Sequence, residues 1–240
     1  MKITDAVWEK RNLGVTCTEL RVAYGESIAD IAAEYSMIKE QQYMVVRIPS
    51  SEHDAVRFFQ EKGYYFIEAA ISLVNDMKSP VPDRLMRVCG KCGYAPMDSD
   101  DIANMFTEID KNIFKTDRVY LDPHFTSGQA ANRYKGWISD LMAAGNVPYK
   151  VIFGGEQIGF FINREKTHGV FDGILAAVYE QYEGTGMGLC VQYAGLALAR
   201  EKQAKKYLGH ISGNNPAVMR ALFSLGFTVS EIEYVFVKHN

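Results

Sequence analysis

Three alternating glycines are the part of this chain whose residue types and spacing could do chemistry. Gly184, Gly186 and Gly188 lie between an apolar segment, residues 171–178, and a segment with helical apolar spacing that begins near Met187. Glycine has no Cβ, so its backbone takes positive φ and approaches a ligand closely. The first N–H groups of a helix have no intrahelical partner, and the positive end of the helix dipole lies there. The spacing therefore predicts an anion site, most naturally for phosphate.

Two common phosphate-binding motifs do not fit this turn. A P-loop requires a lysine and a serine or threonine after its last glycine, and here Leu189 and Cys190 follow Gly188. The dinucleotide motif G-x-G-x-x-G, counted from Gly184, requires a glycine where Leu189 stands. A turn that only reverses the chain is the alternative interpretation, because short glycine motifs are weak evidence on their own.

The turn resembles the acetyl-CoA loop of the GNAT acetyltransferase superfamily, whose pattern reads Val-x-Pro-x-Tyr-Arg-Gly-x-Gly-Ile-Gly. Two positions depart from that pattern, since Glu180 replaces the proline and Glu183 replaces the arginine. The resemblance implies that acetyl-CoA is the acyl donor and that the reaction uses no metal. The positions that keep the register are Val178, Tyr182, Gly184, Gly186, Met187 and Gly188.

The resemblance also implies roles in cofactor binding for residues in and around the loop. The strand edge at Val178 would pair with the pantetheine arm and polarise the thioester carbonyl, and Asn215 would hydrogen-bond near the arm. Positioning and polarisation would then supply most of the acceleration. The backbone N–H groups expected to hold the pyrophosphate belong to Glu183, Gly184, Thr185, Gly186, Met187, Gly188 and Leu189.

Candidates for the general acid and base follow from the same resemblance. The family commonly places a proton-donating tyrosine where this chain has Leu222, so another group must be the acid. Tyr234 is the first candidate, because alternate residues along the last predicted strand face the cleft. His210 is the second. Asp172 heads the strand before the turn and is the candidate base, with capping of that strand end as its alternative role.

The order of the predicted elements agrees with this resemblance. From about residue 101 it reads helix, helix, hairpin, strand, turn, helix, strand, helix, strand, which is the order of a GNAT domain. We therefore expect an α/β (α+β) fold whose central mixed sheet is splayed to admit the pantetheine arm. Residues 46–64 and 209–227 both run strand, short helix, Gly-aromatic, which suggests a repeated unit. The predicted organisation is a partial, degenerate GNAT-like module at 1–78, a linker at 79–100 and a catalytic domain at 101–240.

The predicted linker contains a Cys-x-x-Cys-Gly motif at Cys89 and Cys92. This motif is typical of a zinc knuckle, but structural zinc requires four ligands, and the chain has no second pair of this kind. We favour two reduced thiols, which is the default for a chain without an export signal.

The composition and charge of the chain limit the kinds of partner that it is expected to bind. The chain is 48% hydrophobic and 23% charged with a formal net charge of −3, so nothing favours nucleic acid or an anionic membrane surface. Residues 1–5 lack the apolar core of a signal peptide, and we expect a cytoplasmic protein. The sequence is compatible with a homodimer.

The leading functional hypothesis is acetyl-CoA-dependent acetylation of a primary amine on an amino-sugar nucleotide. It depends on a similarity in layout to the TDP-fucosamine acetyltransferases, which carry a partial module before the catalytic one. Arg118 and Arg133 are the basic residues expected to meet a nucleotide diphosphate. The alternatives are an N-acyltransferase for another small amine or amino acid, and a GNAT-fold protein that binds CoA without turnover.

Overall fold

The computed structural model describes residues 1–240, in which helices and strands alternate along most of the chain. The strands are β1 (Lys2–Asp5), β2 (Cys17–Arg21), β3 (Tyr43–Pro49), β4 (Tyr65–Asn75), β5 (Gly93–Pro96), β6 (Pro148–Phe153), β7 (Glu156–Thr167), β8 (Val170–Val178), β9 (Lys206–Ser212) and β10 (Thr228–His239). The helices are α1 (Val7–Leu13), α2 (Ile28–Ser36), α3 (His53–Glu61), α4 (Asp83–Cys89), α5 (Ser99–Asp110), α6 (Arg118–Leu121), α7 (Ser127–Ala143), α8 (Met187–Glu201) and α9 (Pro216–Ser224). No helix is both long and apolar enough to cross a membrane.

All ten strands form one mixed sheet in the order β1-β2-β3-β10-β4-β9-β8-β7-β6-β5. The pairs β2–β3 and β8–β9 are parallel, and the remaining pairs are antiparallel. The expected α/β fold with a mixed sheet is confirmed.

Two long strands join the halves of the chain. The last strand, β10, pairs with β3 on one side and β4 on the other, while β4 pairs with β9 on its far side. The segments β3–α3–β4 and β9–α9–β10 have the same order of elements, as the sequence repeat suggests. Because each segment's final strand pairs with the first strand of the other segment, the two predicted modules share one continuous sheet. The division at 1–78 and 101–240 stays a prediction.

Short elements occupy stretches whose sequence predicts loops. The expected linker contains α4 and β5, and β5 pairs with β6 at the edge of the sheet, where Pro96 removes no needed hydrogen bond. The segment after Asp117 contains α6, a single turn in which the Val119 and Tyr120 N–H groups donate to the Asp117 carboxylate. Elements of four to seven residues carry too few periodic positions for the pattern to reveal them.

Apolar side chains fill both faces of the sheet. One layer places α5 and α7 over β7 and β8, with Met105, Ile138 and Phe160 buried between them. The opposite face of the same strands is covered by α8, through Val191 and Ala194. These two layers hold β8 and the start of α8 in fixed positions, and the candidate site lies at those elements.

The parallel pair β8–β9 separates part of the way along its length. Its pairing runs from Val170 opposite Lys206 to Gly173 opposite Gly209, and no pairing is present beyond that point. At the point of separation the Tyr207 hydroxyl crosses Gly173, where an added Cβ would lie 2.7 Å from it. The sheet is therefore splayed between these two strands, as expected.

Candidate active site

The glycine turn has the backbone geometry that an anion site requires. Gly184 and Gly186 have φ of 75° and 86°, and Gly186 is the N-cap of the fifteen-residue helix α8. A Cβ added at Gly184, Gly186 or Gly188 would meet no heavy atom within 4 Å. Thr185 steadies the turn, because its hydroxyl donates to the Tyr182 carbonyl at 2.6 Å. The open surface lets a ligand approach the first N–H groups of α8.

The acidic residue in the turn has a cationic partner. Glu183 replaces the arginine of the loop pattern, and its carboxylate accepts hydrogen bonds from the Lys115 ammonium at 2.9 and 3.1 Å. Both side chains are about 40% exposed. This ion pair offsets the negative charge that Glu183 would otherwise place beside a bound phosphate.

The splay leaves one edge of β8 without a strand partner. Val178 pairs with Gly159 of β7 on one side, and β9 does not pair with residues 174–178 on the other. A cavity of about 490 Å³ opens at this splay, and Leu222 lies on its wall. Asn215 also lines the cavity; its side-chain oxygen accepts from Val218 N at 3.1 Å and so caps α9.

Three polar side chains from neighbouring strands meet where β8 and β9 separate. His210 Nε2 lies 3.3 Å from an Asp172 carboxylate oxygen, and the Ser72 hydroxyl lies 3.2 Å from His210 Nδ1. All three residues line the cavity. With its proton on Nε2, the imidazole accepts a hydrogen bond from the Ser72 hydroxyl at Nδ1. The chain of contacts connects a buried carboxylate, an imidazole and a hydroxyl.

Asp172 is held in its ionised form. The residue is 6% exposed, and burial alone would raise the pKa of its carboxyl. Contacts with His210 and with Arg164, whose guanidinium is 3.2 Å away, outweigh burial and lower this pKa below its ordinary value. A carboxylate with a lowered pKa is a weak base, so Asp172 is better suited to orienting His210, 3.3 Å away, than to taking a proton itself.

The structure places Tyr234 outside the cavity. Its ring packs edge-on against Phe66 at 5.9 Å and joins the apolar cluster around Phe59. Tyr234 does not line the cavity, whereas the preceding residue, Glu233, does. Because side chains alternate along a strand and Glu233 faces the cavity, Tyr234 is on the other face of β10. His210 is the remaining candidate for proton transfer.

Both predicted arginines face the cleft, but they are paired internally. Arg118 is buried and donates to Glu9 at 2.9 Å and to Glu19 at 2.6 Å, and Arg133 Nε donates to Glu9 at 2.9 Å. Arg47 has a looser partner, because its closest carboxylate, that of Glu233, is 3.9 Å away.

A second cavity of about 430 Å³ adjoins the first. Both cavities are lined by Trp137 and by the same three arginines, and Trp8 adds a second indole to the second cavity. The two tryptophans are each 37% exposed. Indole faces and guanidinium groups together suit a ligand that has a planar part and an anionic part.

Sequence reasoning missed Ser72, Arg47, Trp8 and Trp137. These residues lie on β4, β3, α1 and α7, far apart along the chain, and no local motif marks any of them. Only the pairing of β4 with β9 brings Ser72 opposite His210.

The comparisons with known proteins concern the fold. No protein-family model matches the sequence, and no curated protein is similar to it. Among solved structures, the chain is similar to a GCN5-related N-acetyltransferase from Sphaerobacter thermophilus, with 12% identity and a TM-score of 0.57 over 87% of this chain and 64% of that one. It spans less than two thirds of that protein's length.

Two other solved structures are also similar at 12% identity. One is a tandem GNAT protein from the clavulanic acid biosynthesis pathway, with a TM-score of 0.58 over 93% of this chain and 75% of that one. The other contains the glucosamine N-acetyltransferase region of a fungal multi-domain beta-N-acetylglucosaminidase, with a TM-score of 0.62 over 92% of this chain and 29% of that one. The chain therefore has the fold of the GCN5-related N-acetyltransferases.

Proposed function

We propose that this protein is an acetyl-CoA-dependent N-acetyltransferase that acts on a primary amine of a small molecule. The observation that carries the proposal is the splay between β8 and β9. The open glycine turn follows the end of β8, and the Ser72–His210–Asp172 group lies where the two strands separate. Amine-dependent release of CoA from acetyl-CoA is the experiment that tests it.

The residues around the splay fit acetyl-CoA. The first N–H groups of α8 and the turn before it would hold the pyrophosphate, a role that the open surface at the glycines supports. The unpaired edge of β8 at residues 174–178 offers backbone groups to the amides of the pantetheine arm. Asn215, on the cavity wall, has its amide nitrogen available to the same arm.

The proton then has a path through this chain's own residues. As the amine nitrogen bonds to the acetyl carbon and the carbon–sulfur bond breaks, the amine loses a proton to the Ser72 hydroxyl, which passes its own proton to His210 Nδ1. Asp172 holds the ring and stabilises the imidazolium. His210 then returns the proton to the departing thiolate. In this step His210 acts as the general acid, the role that the tyrosine has where this chain has Leu222.

The acceptor in this proposal is an amino-sugar nucleotide. Arginines and indoles line the two joined cavities, and this combination of groups supports an acceptor with a diphosphate and a stacking base. The similarity to a glucosamine N-acetyltransferase region agrees with an amino-sugar acceptor. An acceptor that is another small amine or amino acid, without a base, would leave the second cavity unused.

Replacing Trp137 by alanine tests this acceptor. Stacking on an aromatic side chain contributes about 1–3 kcal/mol per base, so we expect Trp137→Ala to raise the acceptor KM by about 10-fold or more. The affinity for acetyl-CoA should not change. Phe223→Ala is the matched control, because Phe223 is an exposed aromatic residue that lines neither cavity. An unchanged acceptor KM in Trp137→Ala would contradict a stacked base.

Replacing Glu183 by glutamine tests the phosphate site. The substitution removes a negative charge from the turn and releases the Lys115 ammonium for a phosphate. For groups this exposed we expect acetyl-CoA to bind about two- to five-fold more tightly by titration calorimetry. Glu61→Gln, which neutralises an exposed carboxylate on α3, should leave the affinity as it is. Weaker binding in Glu183→Gln would mean that the ion pair supports the shape of the turn.

A further inference from the structure

A cluster of metal-ligating groups lies outside both cavities. Asp122 and His124 follow α6, and His239 ends β10. One ligand atom from each of the three lies within 4.8 Å of the others. His239 Nε2 is 2.8 Å from one carboxylate oxygen of Asp122, and His124 Nδ1 is 3.1 Å from the other. None of these residues lines the cavities of the proposed acetyl transfer.

The Asp122 carboxylate is buried against two imidazole rings. The residue is 1% exposed, and its ion-pair partners are His124 and His239, with no lysine or arginine among them. The two rings stack with their centroids 3.9 Å apart and their planes nearly parallel. A divalent cation held between the three groups would neutralise the buried carboxylate.

The spacing of the donor atoms suits a small tetrahedral ion. Bonds of about 2.0–2.1 Å place tetrahedral ligand atoms about 3.3 Å apart. The imidazole nitrogens contact different oxygens of Asp122, at 2.8 and 3.1 Å, and the three ligand atoms lie within 4.8 Å of one another, so small side-chain movements would bring them to that spacing. The stacked rings direct both nitrogens to the same carboxylate, and His124 is 54% exposed, which gives an ion a route from solvent.

We propose that Asp122, His124 and His239 bind one Zn²⁺, with water in the fourth position. Two imidazoles and one carboxylate form a donor set that zinc accepts. The Tyr65 hydroxyl, 3.1 Å from Asp122, supports the carboxylate from outside the ligand shell. The ion would join the end of β10, the start of β4 and the loop after α6, three elements that only the fold brings together.

Zinc binding to the chelator-treated full chain tests the proposal. We expect titration calorimetry with ZnCl₂ to give one equivalent per chain, and the melting temperature to rise with zinc concentration. His124→Ala removes a half-exposed ligand and should weaken zinc binding at least 10-fold. His239→Gln, which keeps a polar side chain, should do the same. His168→Ala is the matched control, because this almost fully exposed histidine lies outside the cluster.

The readouts do not involve acetyl-CoA, so they are independent of the proposed enzyme. Loss of zinc binding in both ligand variants, with a circular dichroism spectrum like that of the wild type, supports the site. Less than about 0.1 equivalent of zinc on the wild type overturns it. Equal zinc affinity in the wild type and both ligand variants also overturns it, because the ion would then be bound elsewhere.

Discussion

His210→Gln is expected to lower kcat for amine acetylation by about 10²- to 10³-fold, with little change in the affinity for acetyl-CoA. Glutamine keeps a polar side chain of similar reach but cannot take up a proton at neutral pH, so the substitution removes a general acid–base contribution of the usual size. In the wild type, the His210 imidazole lies 3.3 Å from Asp172 and 3.2 Å from Ser72, where β8 and β9 separate. Steady-state kinetics, with calorimetry for acetyl-CoA, measure the two quantities separately.

Two further variants separate the role of His210 from a general effect of histidine replacement. His168→Gln changes an exposed histidine that does not line the cavity and should leave kcat unchanged. Asp172→Asn should lower kcat less than His210→Gln does, with an unchanged acceptor KM, because the ring loses its orienting carboxylate while the base is retained. Wild-type turnover in His210→Gln would show that solvent or another group transfers the proton.

Gly186→Val is expected to reduce acetyl-CoA affinity by at least about 10-fold. Gly186 has φ of 86°, and a β-branched residue there costs on the order of 1–2 kcal/mol in backbone strain. The side chain would also occupy the open surface where an added Cβ now meets nothing within 4 Å. A backbone that relaxes to relieve this strain would turn the N–H groups of the glycine turn away from the ligand. The branched side chain would also block the approach of a pyrophosphate. Calorimetric titration with CoA measures the loss.

Gly63→Val is the matched control for the backbone strain. Gly63 has φ of 84° and open space around it, but it lies between α3 and β4, outside both cavities. It should destabilise the fold to a similar degree, read from the melting temperature, and bind CoA as the wild type does. If Gly186→Val also binds CoA normally, the glycine turn is not the phosphate site.

The sequence predicts what local pattern controls. The glycine turn and the start of the helix near Met187 lie where their own residues dictate, because positive φ and helix initiation depend on a few neighbouring residues. Ser27 likewise caps α2, as its position before Asp30 predicts. The order of long elements follows from apolar periodicity alone.

What the sequence does not predict depends on pairing between distant strands. The pairing of β4 with β9 places Ser72 beside His210, and the pairing of β10 with β4 directs Tyr234 away from the cleft. No local sequence pattern specifies which strands pair with each other. The partner of Glu183 is equally distant, because Lys115 precedes it by 68 residues. A short element such as α4 or β5 has too little pattern to be recognised.

The release of CoA thiol from acetyl-CoA, measured with and without a panel of amines, is the most direct test of acetyl transfer by this protein. At least one amine, an amino-sugar nucleotide first, should stimulate release in the wild type. His210→Gln should remove most of that stimulation while still binding acetyl-CoA. Release that no amine changes, with acetyl-CoA bound, would rule out amine acetylation and indicate a protein that holds CoA without transferring its acyl group.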